Sequence, residues 1–206
     1  MSPRAPDPAA LDVATVAARC ADLDEIADHA RGCVACVDLV ANRTTVVAGD
    51  FPPGARLLLV GEAPGSQEDA LGRPFIGKAG QLLDRLLDEV GLSRAGVAVA
   101  NVLKCRPPAN RAPTRAETTR CRGWLDRQVA VLDPPLVVTL GGTALGWALG
   151  HGVRLMDMRG RVHEWAGRRL IVTYHPSAAI RFGPAGAPMA ALRDDLRLAA
   201  ETLCTS

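Results

Sequence analysis

Apolar residues in this chain gather in two patterns. Four short runs are predominantly apolar: residues 56–60 (Arg56-Leu57-Leu58-Leu59-Val60), 97–101, 136–140 and 169–174. Runs of this length and composition predict strands buried on both faces, as in a parallel sheet. Between and after them, residues 79–90, 115–131, 143–149 and 188–203 read as helices, the first with a clear apolar stripe at Leu82, Leu83, Leu86 and Leu87. Upstream, residues 11–31 have helical composition, with Leu11, Val16, Leu23 and Ile26 apolar and Gly32 as the stop. Thr44 to Val47 predicts a short edge strand, and 154–165 a small hairpin. Residues 1–10, rich in Pro and Ala, predict a disordered tail, which leaves 11–206 as a single domain. Strands alternating with helices predict an α/β fold whose parallel sheet is covered on both faces.

That topology places the polar residues. Ligands of open parallel sheets bind outside the carboxyl ends of the strands. Glu62 follows the first strand, Asn101 closes the second, and His175 follows the last, so the fold brings them to one rim. The first strand and its helix are also joined by about twenty residues rich in Gly and Pro, and so long a connector inside a compact domain is usually functional. Its glycines allow close approach of backbone N–H groups to a ligand.

Composition narrows the choice. With 48% hydrophobic residues the chain has enough apolar surface for a sizeable core, and it has no long apolar span. Its start lacks a charged-then-apolar leader, so the expectation is a soluble, cytoplasmic protein without a membrane partner. A net charge of +2 gives no global basic field, so an anionic partner has to be met by local patches. Six cysteines are present. Cys33 and Cys36 form a Cys-x2-Cys pair, while Cys105 and Cys121 stand apart. Disulfides are disfavoured in a cytoplasmic setting. One tight pair with two separated thiolates fits a [4Fe–4S] site, and on spacing alone zinc stays open. Cys20 and Cys204 read as small buried or neutral residues.

The stretches Gly61-Glu62-Ala63-Pro64-Gly65, Glu68-Asp69, Gly72 and Pro74-Phe75-Ile76-Gly77-Lys78-Ala79-Gly80 are followed by Asn101-Val102-Leu103-Lys104-Cys105-Arg106-Pro107-Pro108 and His175-Pro176-Ser177. With the four cysteines, this series resembles family 4 uracil-DNA glycosylases, the iron–sulfur branch of the uracil-DNA glycosylase superfamily. The resemblance runs over residues 20–203. It implies a three-layer α/β/α fold with a central four-stranded parallel sheet, a monomer that removes uracil from single- or double-stranded DNA, and a [4Fe–4S] cluster on Cys33, Cys36, Cys105 and Cys121.

It also implies roles. His175, as neutral imidazole, donates to uracil O2 and stabilises the departing anion. Asn101 pairs with N3–H and O4 and rejects cytosine. Phe75 stacks on the flipped base, and Glu68 crowds C5 against thymine. Other uracil glycosylases place an Asp where this chain has Ala63, so Glu62 is expected to support the attacking water or the sugar cation while the Ala63 N–H contacts uracil. Ser177, Lys78 and Arg106 contact the DNA backbone. The loop after His175 enters the minor groove, where Ile180 or Arg181 serves as the wedge in a stretch less bulky than the family's, which favours single-stranded or mismatched substrate. A crosslinking relative would carry a histidine in a longer basic insertion, absent between Asn101 and Glu117. A non-catalytic DNA-damage binder is the rival from another class. A dinucleotide-binding enzyme lacks its Gly-x-Gly-x-x-Gly turn here.

Overall fold

All four apolar runs are strands. The computed structural model of the chain describes residues 12–205, so the tail expected over 1–10, together with Leu11, lies outside the described residues. In chain order the elements are α1 Val13–Arg19, α2 Leu23–Arg31, α3 Val37–Asn42, β1 Leu57–Gly61, α4 Ser66–Leu71, α5 Lys78–Glu89, β2 Val97–Asn101, α6 Arg115–Leu132, β3 Leu136–Leu140, α7 Gly142–Leu149, α8 Leu155–Met158, β4 Val162–Trp165, β5 Arg168–Thr173, α9 Pro176–Phe182 and α10 Ala187–Cys204.

The strand order is β2-β1-β3-β5-β4. β1 pairs in parallel with β2 on one side and β3 on the other, and β3 pairs in parallel with β5. The expected four parallel strands are these, but the sheet is mixed and has five: β4 runs antiparallel to β5, with Val162 opposite Ile171. The cause is local. Ala166 (φ 48°) and Gly167 (φ 77°) are both left-handed, the backbone of a tight hairpin turn that folds β4 onto β5. The hairpin expected over 154–165 is therefore displaced, with α8 in its first half and only β4 in its second. Thr44 to Val47 is not a strand. Its chain is held by the Asp69 carboxylate, which accepts from the N–H groups of Thr44 and Thr45, and by Val47 N–H on the Lys104 carbonyl at 2.8 Å. The helix expected over 11–31 is broken into α1 and α2, where Asp22 caps the second by accepting from Glu25 N–H.

Period-two alternation sends side chains of one strand to two cores. Leu57, Leu59, Val97, Val99 and Val138 face α5, α9 and α10. Leu58, Val60, Ala98, Ala100 and Val137 face α6 and α7. A third, smaller core joins α1, α2 and α3 to α6 through Ile26, Leu39, Leu103 and Trp124, and it contains the cysteines.

Candidate active site

In the register of the sheet, Gly61 of β1 lies directly beside Asn101 of β2. That pairing delivers Glu62 and Asn101 to one point on the rim, and β5 brings His175 to the same place. A cleft of about 400 Å³ opens there, within the range of a small-ligand site. Glu62, Ala63, Glu68, Phe75, Asn101 and His175 all line it, and so do Lys78 and Ser177. Arg106, Ile180 and Arg181 lie outside its lining.

The connector between β1 and α5 is shaped by its own side chains. α4, unforeseen from the sequence, ends at Gly72 in the left-handed conformation (φ 70°). The Glu68 carboxylate accepts from the N–H groups of Gly65 (3.1 Å), Ile76 (3.0 Å) and Gly77 (2.8 Å), which draws both ends of the connector around one residue. Phe75 is held at φ 54°, rare for an aromatic residue, and is only 6% exposed. Two close approaches fix it. A Cβ on Gly80 would stand 1.8 Å from the Phe75 carbonyl oxygen, and one on Gly61 would stand 2.4 Å from its ring and 2.5 Å from Asn101 Oδ1. Glycine is the residue that fits at either place.

Asn101 is 2% exposed, and its Oδ1 has no hydrogen-bond partner. A buried acceptor without a donor costs free energy, about 1–3 kcal/mol, unless a ligand supplies the proton. His175 caps α9: its Nδ1 accepts from Ser177 N–H at 3.2 Å and lies 2.8 Å from Ser177 Oγ. An Nδ1 that accepts a backbone N–H carries no proton, so the neutral ring has its N–H on Nε2. Burial pushes the His175 pKa down to about 4, against a smaller upward pull from Glu68. Its ring packs on Phe75 with centroids 5.6 Å apart. The site therefore presents a donor and an orphaned acceptor beside an aromatic ring.

Two residues of the site carried no sequence signal. Thr143, at the start of α7, donates its hydroxyl to Glu62 Oε2 and holds that carboxylate at the rim. Arg111 lines the cleft and is gripped by Glu117 at 2.9 and 2.6 Å. The Arg111 hydrogen bond, reinforced by Thr114, pulls Glu117 down to about 2. A third surprise is Lys104. It is 1% exposed, and its ammonium donates to the Asn101 carbonyl at 2.9 Å and to Gln128 Oε1 at 2.6 Å, tying the end of β2 to α6. The stretch after His175 is also not a loop but α9, from which Ile180 (44%) and Phe182 (65%) project into solvent.

The four cysteines meet elsewhere. Cys33, Cys36, Cys105 and Cys121 line one small apolar cavity with Leu39, Leu103, Arg43 and Arg120. Among the described residues no three His, Cys, Asp or Glu side chains gather closely enough to hold a single metal ion. Burial pushes the Cys121 thiol up to about 12 and raises Cys105 and Cys36, while Lys104 and Arg43 act the other way on Cys121 and Cys105. Lys104 N–H donates to Cys121 Sγ at 3.3 Å and Arg43 Nη1 to Cys105 Sγ at 2.9 Å. An all-sulfur donor set with N–H···S donors and basic residues around it fits an iron–sulfur group. Cys20 is buried as expected, whereas Cys204 is exposed.

Fold and site together define an α/β protein with a small-ligand-sized polar cleft at the carboxyl ends of its strands. The sequence profile described as Uracil DNA glycosylase superfamily matches residues 48–197. The type-4 uracil-DNA glycosylase of Thermotoga maritima is 42% identical over 161 residues, covering 77% of this chain and 83% of that protein. That of Saccharolobus solfataricus is 38% identical over 191 residues, 88% of this chain and 87% of its own. The enzyme of the same name from Sulfurisphaera tokodaii is 40% identical, covering 77% and 76%. The chain belongs to the uracil DNA glycosylase superfamily and, within it, to the type-4 uracil-DNA glycosylases.

Proposed function

We propose that this protein is a DNA-repair hydrolase that takes uracil out of DNA and cleaves its N-glycosidic bond, leaving an abasic site. One observation carries the reading: the buried, partnerless Oδ1 of Asn101 shares a cleft with the free N–H of neutral His175. Uracil complements the pair, with its N3–H for the acceptor and a carbonyl for the donor. Cytosine lacks the N3 proton.

Cleavage leaves positive charge on the sugar and negative charge on the base. The His175 Nε2–H donates to O2 as that charge grows, and needs no proton of its own to leave. Asn101 accepts from N3–H, and its amide N–H donates to O4. The Ala63 N–H adds a contact to the base, and Phe75 supplies a stacking wall. Glu62, oriented by the Thr143 hydroxyl, faces the sugar cation and steers the water that attacks it. Glu68 narrows the cleft near C5 and does so from a fixed position, because both its oxygens are occupied by backbone donors. Reaching a base inside a duplex requires flipping it out. Ser177 and Lys78 at the mouth of the cleft, with Arg106 beyond it, are suited to phosphates. Ile180 or Arg181 on α9 would fill the gap left behind, and exposed Phe182 adds apolar surface on the same helix.

Cys33, Cys36, Cys105 and Cys121 would hold a [4Fe–4S] cluster, which would cross-link α1–α3 to the β2 loop and α6. No helix among the described residues is long and apolar enough to cross a membrane, and work on DNA as a monomer in the cytoplasm completes the reading. The decisive assay incubates the protein with a uracil-containing oligonucleotide, measures free uracil, and then cleaves abasic sites with alkali. Released uracil and alkali-sensitive scission are expected. Tight binding without either would overturn the reading in favour of a non-turnover binder.

A further inference from the structure

A second groove of about 280 Å³ opens on the same rim, on the α6/α7 side of the sheet. Arg115, Arg122, Thr118, Thr119, Thr143 and His151 line it, and no carboxylate does. Two features make it continuous with the uracil cleft. Glu62 lines the cleft, Thr143 lines the groove, and the hydrogen bond between them is the shared wall. On the opposite side, the segment that contributes Asn110 and Arg111 to the cleft contributes Pro113 and Arg115 to the groove.

The charges are set for an anion. The Arg115 guanidinium has no hydrogen-bond or ion-pair partner among the described residues. Arg122 is held in place by Asp126 at 2.9 Å and by the Trp147 carbonyl at 2.9 Å, which spends part of its charge but fixes its position. Thr119 offers an exposed hydroxyl, and Gly142 and Thr143 floor the groove with the first backbone of α7. Two carboxylates stand behind the lining, Asp126 paired with Arg122 and bonded by Trp147 Nε1, and Glu62 accepting from Thr143, which leaves Arg115 as the lining arginine without a counter-charge among the described residues. Arginines and hydroxyls without a carboxylate lining are the chemistry of phosphate-oxygen recognition.

Resting on the glycosylase reading, we infer that this groove is a phosphodiester subsite, which seats a backbone phosphate next to the extruded uridine and so carries one strand away from the cleft. It requires no duplex, and thus suits single-stranded substrate. Arg115 is the contact that this subsite relies on most.

The test is steady-state kinetics on a single-stranded uracil oligonucleotide over a series of salt concentrations. Arg115→Ala, at an exposed position in the first turn of α6, is expected to raise KM about three- to tenfold and to reduce the salt slope by about 1, the signature of one lost phosphate contact. A methylphosphonate at the phosphate beside the uridine should impose the same loss on the wild type and add nothing to Arg115→Ala. Arg193→Ala, far away on α10 and paired with Glu89, should match the wild type in both quantities. A separate arm titrates inorganic phosphate as competitor. Inhibition of the wild type by free phosphate, with an unchanged KM and salt slope in Arg115→Ala, would mark a free-anion site and overturn the DNA assignment. Unchanged KM and slope without phosphate inhibition would overturn the subsite altogether. Failure of the wild type to release uracil would instead remove the underlying glycosylase reading.

Discussion

The uracil cleft and the cysteine cavity both hang on the carboxyl end of β2, yet they are built on opposite principles. In the cleft, polar atoms are fixed and left open: the Asn101 acceptor has no donor, and the His175 Nε2–H is free because Nδ1 is already occupied. Around the cysteines, burial works against ionisation of Cys36, Cys105 and Cys121 and lifts Cys121 to about 12. Arg43, Arg120 and Lys104 supply the compensating positive charge. In the first region, hydrogen bonds and close contacts position the polar atoms without a ligand. In the second, the proposed cluster would replace the thiol protons by metal coordination. The lesson is that the cleft leaves hydrogen-bonding atoms open to a ligand, whereas the cavity shields its polar atoms from solvent. Lys104, with its ammonium on the Asn101 carbonyl and its backbone N–H on Cys121 Sγ, is the residue common to both.

That contrast can be broken by mutation. The largest effect is expected at His175. His175→Ala removes the proposed donor to the departing base and should lower kcat for uracil release by about 10²–10³-fold, with far-UV circular dichroism nearly unchanged and the unfolding midpoint lowered only by the few degrees that a lost helix cap costs. Near-normal turnover would remove the residue from the chemistry. Asn101→Asp puts a second acceptor where a donor is needed at O4. A fall of about 10- to 100-fold in excision of uracil is expected, together with weaker discrimination against cytosine in competition assays. An unaltered rate would show that the side chain does not pair with the base.

Cys121→Ser should act the opposite way. It is expected to cost the brown colour and iron content of the purified protein and to lower its unfolding midpoint by about 5 °C or more. Colourless wild-type protein with stoichiometric zinc would overturn the cluster assignment. The smallest effect is in pH. His175 takes up its proton near pH 4 in the folded protein and near about 6.5 when unfolded. Between those values the unfolded chain binds more protons, so the contribution is complete above pH ~6.5 and is lost as pH falls through 4. Urea midpoints of wild type and His175→Gln, compared from neutral pH downward, should diverge in that window, and the wild-type kcat should show no inflection near pH 6.5. An inflection there would mean that the ring titrates at its ordinary value.

Much of the fold was legible because burial on both faces writes itself into sequence as predominantly apolar runs. β2 and β3 fall on residues 97–101 and 136–140 as expected, and the helices that cover the sheet lie within a residue or two of the stripes that announce them. β4 lies in the second half of the hairpin expected over 154–165, but its pairing with β5 escaped because half of the strand faces solvent and its alternation spans only four residues. α4 and α9 escaped because Gly and Pro at their starts look like loop. In the site, Glu62, Asn101 and His175 were legible as polar residues at strand ends. Thr143, Arg111 and Lys104 were not, since a threonine, an arginine and a lysine are ordinary on any surface and acquire meaning only through the partners that the fold brings to them.

By itself, then, the chain's pattern determined the four parallel strands and the helices that cover them, put Glu62, Asn101 and His175 on one rim, and singled out the four cysteines that line one cavity. Only the tertiary structure decided which nitrogen of His175 carries the proton, that Asn101 keeps an acceptor unspent, and that a second basic groove runs on from the first. Burial is a property that a short segment carries in its own composition. Hydrogen-bond partnership and electrostatic field depend on residues tens of positions apart, such as Thr143 with Glu62 or Gln128 with Lys104, whose meeting is set by strand register and by the helices packed on the sheet.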